Sequence, residues 1–259
     1  MATATSANPV PDIDITLYYD AGCPYVHRVV TTLDVLSLPY KKVTVDISKP
    51  REQWYLDINP TGKVPAVIFT AQDHNNGQPT TLTESLVITQ FLSDLVPGRL
   101  LPAPGGIAAA VTRARVAFFV DAWSNTVAPA QGALMGSVIR GADVSAPVEA
   151  FIKAAGEVDA LLVREGAAAE VLFGDDRGLS YAQIVAAPML LRVLALADVG
   201  LLPGELKDRL LALPEFGRWT KQALQDPVLL KSWDVPAFEV RAKAMVAKAK
   251  EEQRAAAQL

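Results

Sequence analysis

The chain has 259 residues, of which 51% are hydrophobic, and a formal net charge of −4. That is enough apolar material for one large folded domain or two small ones, and it excludes a disordered chain. Lysine and arginine form no basic cluster, so nothing supports a nucleic-acid partner. One cysteine and two histidines exclude an intrachain disulfide and argue against a metal centre.

Residues 1–12 are rich in Ala, Thr, Ser and Pro and lack the apolar run of a signal peptide, so a loose tail is expected. Ile13, Ile15, Leu17 and Tyr19 then alternate with polar residues, the period of a half-buried strand. Val26, Val29, Val30 and Leu33 follow at helical spacing, with Pro24 where a first helical turn tolerates it. The only cysteine, Cys23, therefore sits at a strand-to-helix turn. A helix N-terminus favours an anion, and a thiol placed there tends to react as thiolate. A lone cysteine can equally be an inert core residue; its exposed turn and the proline after it favour the reactive reading.

Val43, Val45 and Ile47 alternate with polar neighbours and predict a second strand, which with the preceding helix makes a parallel βαβ unit. Residues 48–59 predict a short irregular helix carrying Arg51 and Trp54. Residues 59–65, Asn-Pro-Thr-Gly-Lys-Val-Pro, form a turn-rich entry to a third strand at 66–69. His74-Asn75-Asn76-Gly77 is a hairpin signal leading to a fourth strand at 81–83. Glu84-Ser85 then opens a helix whose apolar face is Ile88, Phe91, Leu92 and Leu95. The order βαβ then ββα predicts a four-stranded mixed sheet with helices on both faces, over residues 13–97.

Residues 98–106 are rich in Pro and Gly and read as a linker. From 107 to 259 helical periods dominate. Val116, Phe119, Val120 and Trp123 share one face; Val148, Phe151, Ile152 and Ala155 share another. Ser180 and Gln183 have capping-box spacing before a very apolar helix. The apolar run at 181–202 is interrupted by Pro188, Arg192 and Asp198, which favours a buried helix over a membrane span. Further helices are expected at 206–213 and 216–224, with a solvated helix from 240 to the end. The expected layout is an α/β domain followed by an all-helical one.

A cysteine at a strand-to-helix turn, Val64-Pro65 before the third strand and Glu84-Ser85 at a helix start together resemble the cytosolic glutathione transferases. Cys23-Pro24-Tyr25 is similar to the Omega class and its fungal relatives, which use cysteine where other classes use serine or tyrosine. The resemblance covers nearly the whole chain. It implies a thioredoxin-like first domain, glutathione as co-substrate with no metal, and catalysis by Cys23.

Within the resemblance, Ser85 offers its hydroxyl and backbone N–H to the γ-glutamyl carboxylate, and Glu84 accepts from the ammonium beside it; an ordinary helix cap is the competing reading. The proline matching Pro65 is cis in the family, which turns the Val64 backbone toward the cysteinyl amide of glutathione. A plain proline at a strand start is the alternative. Arg51 lies where Omega-like enzymes place a lysine for the glycyl carboxylate, and Lys63 is a second candidate; either can also be a solvated surface cation. Tyr25 is a candidate to pack on the tripeptide, with ordinary partial burial as the equal alternative. Arg28 and His27 follow Cys23 by about one turn, where a cation lowers a thiol pKa; an internal ion pair and a surface histidine are the favoured readings, and Tyr18 reads as a core hydroxyl rather than a tyrosine-type activator.

Phe119 and Trp123 are candidates to line a pocket for a small hydrophobic electrophile between the domains, although such stripes are more often core. The activity implied is glutathione-dependent thiol transfer or reductive deglutathionylation. Glutathione conjugation, cis–trans isomerisation of a conjugated olefin, and a non-catalytic ligand-storage or interaction role are the alternatives. The resemblance also implies a homodimer, and with the single cysteine it suits a reducing compartment, the cytoplasm, with no membrane partner.

Overall fold

A computed structural model describes residues 11–175 and 178–256. Apart from its last two positions, the tail expected at 1–12 lies outside the described residues, as do positions 257–259 of the expected last helix. The chain divides into two compact units after Ala110.

In the first unit the elements run β1 (Asp14–Tyr19), α1 (Pro24–Val35), β2 (Lys41–Thr44), α2 (Gln53–Ile58), β3 (Ala66–Thr70), β4 (Thr80–Thr83) and α3 (Ser85–Leu95). They form one sheet in the order β2-β1-β3-β4, with β1–β2 parallel and the other pairs antiparallel. This is the thioredoxin-like βαβ–ββα arrangement predicted above. Successive side chains of a strand point to opposite faces. Ile15 and Leu17 of β1 join Val67 and Phe69 of β3 in the core that also takes Val29 and Leu33 of α1 and Ile88 and Leu92 of α3. α1 and α3 pack against each other. Tyr18, one residue out of that phase, meets Trp54 and Tyr55, with ring centroids 6.2 and 5.9 Å away. It is half-buried among rings.

Two local features differ from expectation. The helix expected across 48–59 is only α2, so Arg51 precedes it. Pro50 disfavours helical backbone at Lys49, and the carbonyls of Asp46, Ile47 and Lys49 serve Arg51 instead, as described below. His27 was expected at the surface and is buried. The reason is that α1 is covered on nearly every side, from Val26 to Leu33, rather than along one stripe. At the β3–β4 hairpin, Asn76 and Gly77 take positive φ of 52° and 73°, the conformation Asn-Gly tolerates best.

The division between the units falls within α4 (Gly106–Ala122). α5 (Ala128–Ile139) follows through a single wide π-helical turn, Trp123–Val127. Pro129 opens α5 and has no N–H to close an ordinary turn, and the wider turn absorbs that loss. Then come α6 (Ser145–Glu165), a 3₁₀ stretch (Gly166–Leu172), α7 (Tyr181–Asp198), α8 (Glu205–Leu211), α9 (Pro214–Leu224), α10 (Pro227–Lys231) and α11 (Val235–Ala256).

α7 has the length and hydropathy of a membrane span, but its residues are buried within this unit, where it touches α5, α8, α9, α10 and α11. Its predicted capping box is present: Ser180 Oγ accepts from the Gln183 N–H at 3.1 Å, and the Ser180 N–H donates to Gln183 Oε1 at 3.0 Å.

Phe119 and Trp123 are not pocket residues as they stand. They are 1% and 0% exposed and share an aromatic cluster with Phe216 and Trp219, with ring centroids 5.6–6.3 Å apart. Burial of large rings with offset and tilted neighbours is the most favourable use of such side chains. The stripe that suggested a substrate wall is therefore the core of the helical unit. Asp159 on α6 closes this core from the other side. Its Oδ1 accepts from the N–H groups of Glu215 and Phe216, both at 2.8 Å, and so caps α9.

Candidate active site

The site is assembled at the ends of three elements of the first unit. Cys23 is the residue immediately before α1, with extended backbone angles, and its N–H donates to the Asp20 carbonyl at 3.1 Å. Asp20 also accepts from the Gly22 N–H through its side chain at 2.8 Å, which fixes the turn. The thiol is nearly buried and points at the Val64 carbonyl, 3.8 Å away. It thus lies at once beside a helix N-terminus and beside the backbone that enters β3. The first favours its anionic form.

That backbone is held in place by several side chains. The Val64–Pro65 bond is cis, as the family resemblance implied. The carbonyl of Lys63 accepts from both Tyr55 Oη, at 2.5 Å, and Asn59 Nδ2, at 2.8 Å. Burial pushes the Tyr55 phenol above its usual pKa, outweighing the opposing effects of Asn59 and Arg51, so it remains a donor. Asn59 Oδ1 in turn accepts from the N–H and hydroxyl of Thr61.

Arg51 completes this frame. Its guanidinium donates to the carbonyls of Gly62 at 3.0 Å, Asp46 at 2.7 Å, Ile47 at 2.9 Å and Lys49. Arg51 is therefore a staple of the loop and does not line the cleft, contrary to the role expected for it. Its five donors in a planar fork suit several carbonyls at once. Gly62 must have φ of +65°, and a Cβ there would come 3.0 Å from Arg51 Cγ.

The cleft beside the thiol has a volume of about 270 Å³ and is lined by Tyr25, Asn59, Lys63, Val64, Pro65, Glu84 and Ser85. Six of the predicted residues thus meet in one place, with Cys23 touching Val64. Glu84 adopts φ 66° and ψ 116°, outside the usual regions for a side-chain-bearing residue. Such strain concentrates where a side chain and backbone must be aimed at a ligand. Ser85, the first residue of α3, is 6% exposed.

Sequence reasoning missed three residues. Asn59 and Tyr55 carry no chemical signature; only the Asn-Pro dipeptide marks a turn at this point. Arg28 was read as one half of an ion pair, without its contact to Ser85. It is 3% exposed, and its Nη1 donates to Ser85 Oγ at 3.2 Å. A larger cleft of about 570 Å³, lined by Ile13, Phe69, His74, Phe91 and Leu95 among others, contains none of the predicted residues.

Comparison with known proteins agrees with this geometry. The family model for the glutathione S-transferase N-terminal domain matches residues 22–95, from the turn before Cys23 to the end of α3. Pyrimidodiazepine synthase of Drosophila melanogaster is 34% identical over 98 residues, which is 36% of this chain and 38% of that protein. Glutathione S-transferase omega-2 of Rattus norvegicus is 31% identical over 93 residues, 36% of this chain and 34% of that protein. The sequence match thus spans little more than a third of each relative's length. The crystal structure of glutathione transferase Omega 1C from Trametes versicolor extends the likeness to 91% of this chain and 98% of that one, with a TM-score of 0.71 and 27% identity. With its thioredoxin-like unit, its cis proline and a cysteine at the start of α1, residues 22–95 are a glutathione S-transferase N-terminal domain, and the chain as a whole resembles the Omega-type glutathione transferases.

Proposed function

We propose that the protein is a glutathione-dependent thiol transferase in which Cys23 is the nucleophile. The observation that carries this reading is the thiol facing the Val64 carbonyl at the edge of a cleft lined by Tyr25, Lys63, Val64, Pro65, Glu84 and Ser85. One tripeptide suits that lining. The Val64 backbone pairs with its cysteinyl amide, Ser85 and the start of α3 take the γ-glutamyl carboxylate, and Glu84 takes the ammonium. Arg51 is occupied by carbonyls, so Lys63 is the side-chain cation for the glycyl carboxylate. Tyr25, half exposed on the first turn of α1, packs along the tripeptide.

In the reaction the Cys23 thiolate attacks the glutathione sulfur of a mixed disulfide. A bond forms between Cys23 and glutathione, and the substrate leaves as a thiolate that takes a proton from water. A second glutathione thiolate attacks the enzyme disulfide, forming oxidised glutathione and restoring Cys23. The chain has no second cysteine to resolve the intermediate, so external glutathione does so. The substrate class is a small electrophile. The assembly is a homodimer, and the setting is the reducing cytoplasm.

The test is mass spectrometry after incubation with oxidised glutathione, together with calorimetry of reduced glutathione. A glutathionyl adduct on Cys23, absent from Cys23→Ser while that variant still binds glutathione, is the expected result. Full thiol-transfer activity in Cys23→Ser would overturn the reading and favour conjugation or olefin isomerisation. No binding of glutathione by the wild type would favour a non-catalytic role.

A further inference from the structure

Arg28 has no part in the reaction just described, yet it touches two walls of the cleft. Its Nη1 donates to Ser85 Oγ at 3.2 Å. Its guanidinium carbon lies 5.2 Å from the centroid of the Tyr25 ring. Both Ser85 and Tyr25 line the cleft, whereas Arg28 is buried behind them.

We infer that Arg28 is a positioning residue for the carboxylate of the γ-glutamyl group, acting through Ser85. This rests on the glutathione reading above. A guanidinium can only donate, so the Ser85 oxygen must be the acceptor in this bond. The single hydrogen of the hydroxyl is then turned away from Arg28. Among the described residues no acceptor takes it, and Ser85 faces the cleft. A serine hydroxyl can ordinarily be donor or acceptor, but here it is committed as a donor toward the ligand. A carboxylate accepts and cannot donate, so the committed hydroxyl selects for one. Cation–π contact with Tyr25 holds the guanidinium plane in place.

Two ligands separate this role from a merely structural one. The first is glutathione. The second is 4-aminobutyryl-cysteinyl-glycine, which differs only in lacking the α-carboxylate of the γ-glutamyl group. Dissociation constants for both are measured by calorimetry on the wild type, Arg28→Met, Arg28→Lys, Ser85→Ala and the Arg28→Met/Ser85→Ala double variant. Arg28→Met is expected to weaken glutathione about tenfold, the scale of one charge-assisted hydrogen bond, and to leave the shortened analogue within about twofold. In turnover the loss appears in KM for glutathione, with kcat at saturation unchanged. Arg28→Lys keeps the charge but not the planar fork, and is expected to recover part of the affinity. In the Ser85→Ala background, Arg28→Met should cost much less than in the wild type.

Equal weakening of both ligands by Arg28→Met or by Arg28→Lys would overturn the inference, as would unchanged glutathione binding in both. If Arg28→Met does not fold, as judged by circular dichroism, the same comparison is read from Arg28→Lys. A wild type that binds neither peptide would overturn the glutathione reading itself. A wild type that binds glutathione, beside variants without carboxylate selectivity, would overturn only the role of Arg28.

Discussion

The two units of the molecule spend their side chains in opposite ways. In the first, the residues around Cys23 are polar groups bonded to backbone carbonyls: Tyr55 and Asn59 on Lys63, Arg51 on Gly62, Asp46, Ile47 and Lys49. In the second, the corresponding mass is apolar: Phe119, Trp123, Phe216 and Trp219 stacked on one another, with α7 buried along almost its whole length. Directional bonds fix the position of a backbone to a fraction of an ångström and leave room beside it. Close-packed rings leave none. The cleft beside Cys23 lies within the polar frame.

The largest expected effect lies in the apolar unit. Trp123→Ala removes a fully buried ring from the aromatic cluster and should cost about 3–5 kcal/mol of stability. The measurement is the denaturant midpoint, with glutathione binding by the folded fraction expected to be unchanged. A variant of nearly wild-type stability but altered selectivity for the electrophile would break the comparison. It would restore Trp123 as a pocket wall.

Asp159→Ala comes next. It removes the acceptor for two N–H groups at the start of α9, where the chain supplies no cap of its own. A loss of about 2 kcal/mol is expected, because two N–H groups at a helix end, that of Phe216 buried, then lose their acceptor. Asp159→Asn retains an oxygen in the same place and should lose less. Equal losses in the two variants would mean that charge, and not the cap, is what Asp159 contributes.

What could be read in the sequence follows the same division. Strand alternation in β1, the Asn-Gly turn and the Ser180/Gln183 box are local patterns, and each is present where predicted. The cleft residues Val64, Pro65, Glu84 and Ser85 were legible through the family resemblance; by residue type alone they fit an ordinary strand start and an ordinary helix cap as well. Arg28, Asn59 and Tyr55 were not legible. Their partners are 57, 4 and 8 residues away, and the targets are a hydroxyl and a carbonyl that any sequence could supply. Arg51 was misread for a related reason. A cation near a predicted anion subsite looks like a ligand until the carbonyls that occupy it are seen. Phe119 and Trp123 were misread because a helical apolar stripe has the same spacing whether it faces a cavity or a core. Burial on nearly every side of α1, which moved His27 from surface to interior, is likewise invisible to a one-stripe reading.

Gly62→Ala tests the frame around the cleft. Its φ of +65° disfavours a side chain, by about 1–2 kcal/mol. The added Cβ would also press on Arg51 Cγ at 3.0 Å. Because Gly62 precedes Lys63 and Val64, the expected loss of glutathione affinity is severalfold and blind to the γ-glutamyl carboxylate, unlike the Arg28 effect. Unchanged affinity in a destabilised protein would show that the loop and the cleft are held independently.

The smallest effect concerns acid. The Asp46 carboxyl is held down to about 2, first by hydrogen bonds from the Ser48 hydroxyl and N–H and then by Lys49. A folded-state pKa below the ordinary carboxylate value means that its stabilisation is present above about pH 4 and is lost as pH falls from there toward 2. Asp143 is built the same way on Ser145 at the start of α6, and its pKa is also lowered. Asp46→Asn and Asp143→Asn should therefore each narrow the acid limb of stability slightly, seen as a variant-to-wild-type difference that shrinks between pH 5 and pH 2. Both carboxylates are exposed, so neither effect is large. Binding separates them. The Asp46 backbone carbonyl accepts from Arg51, whose other donors reach Gly62 beside the cleft, so Asp46→Asn should weaken glutathione at pH 7 by up to about twofold while Asp143→Asn leaves it unchanged. Equal shifts in both would mean that Asp46 does not steady the cleft loop, and that the polar frame begins at Arg51.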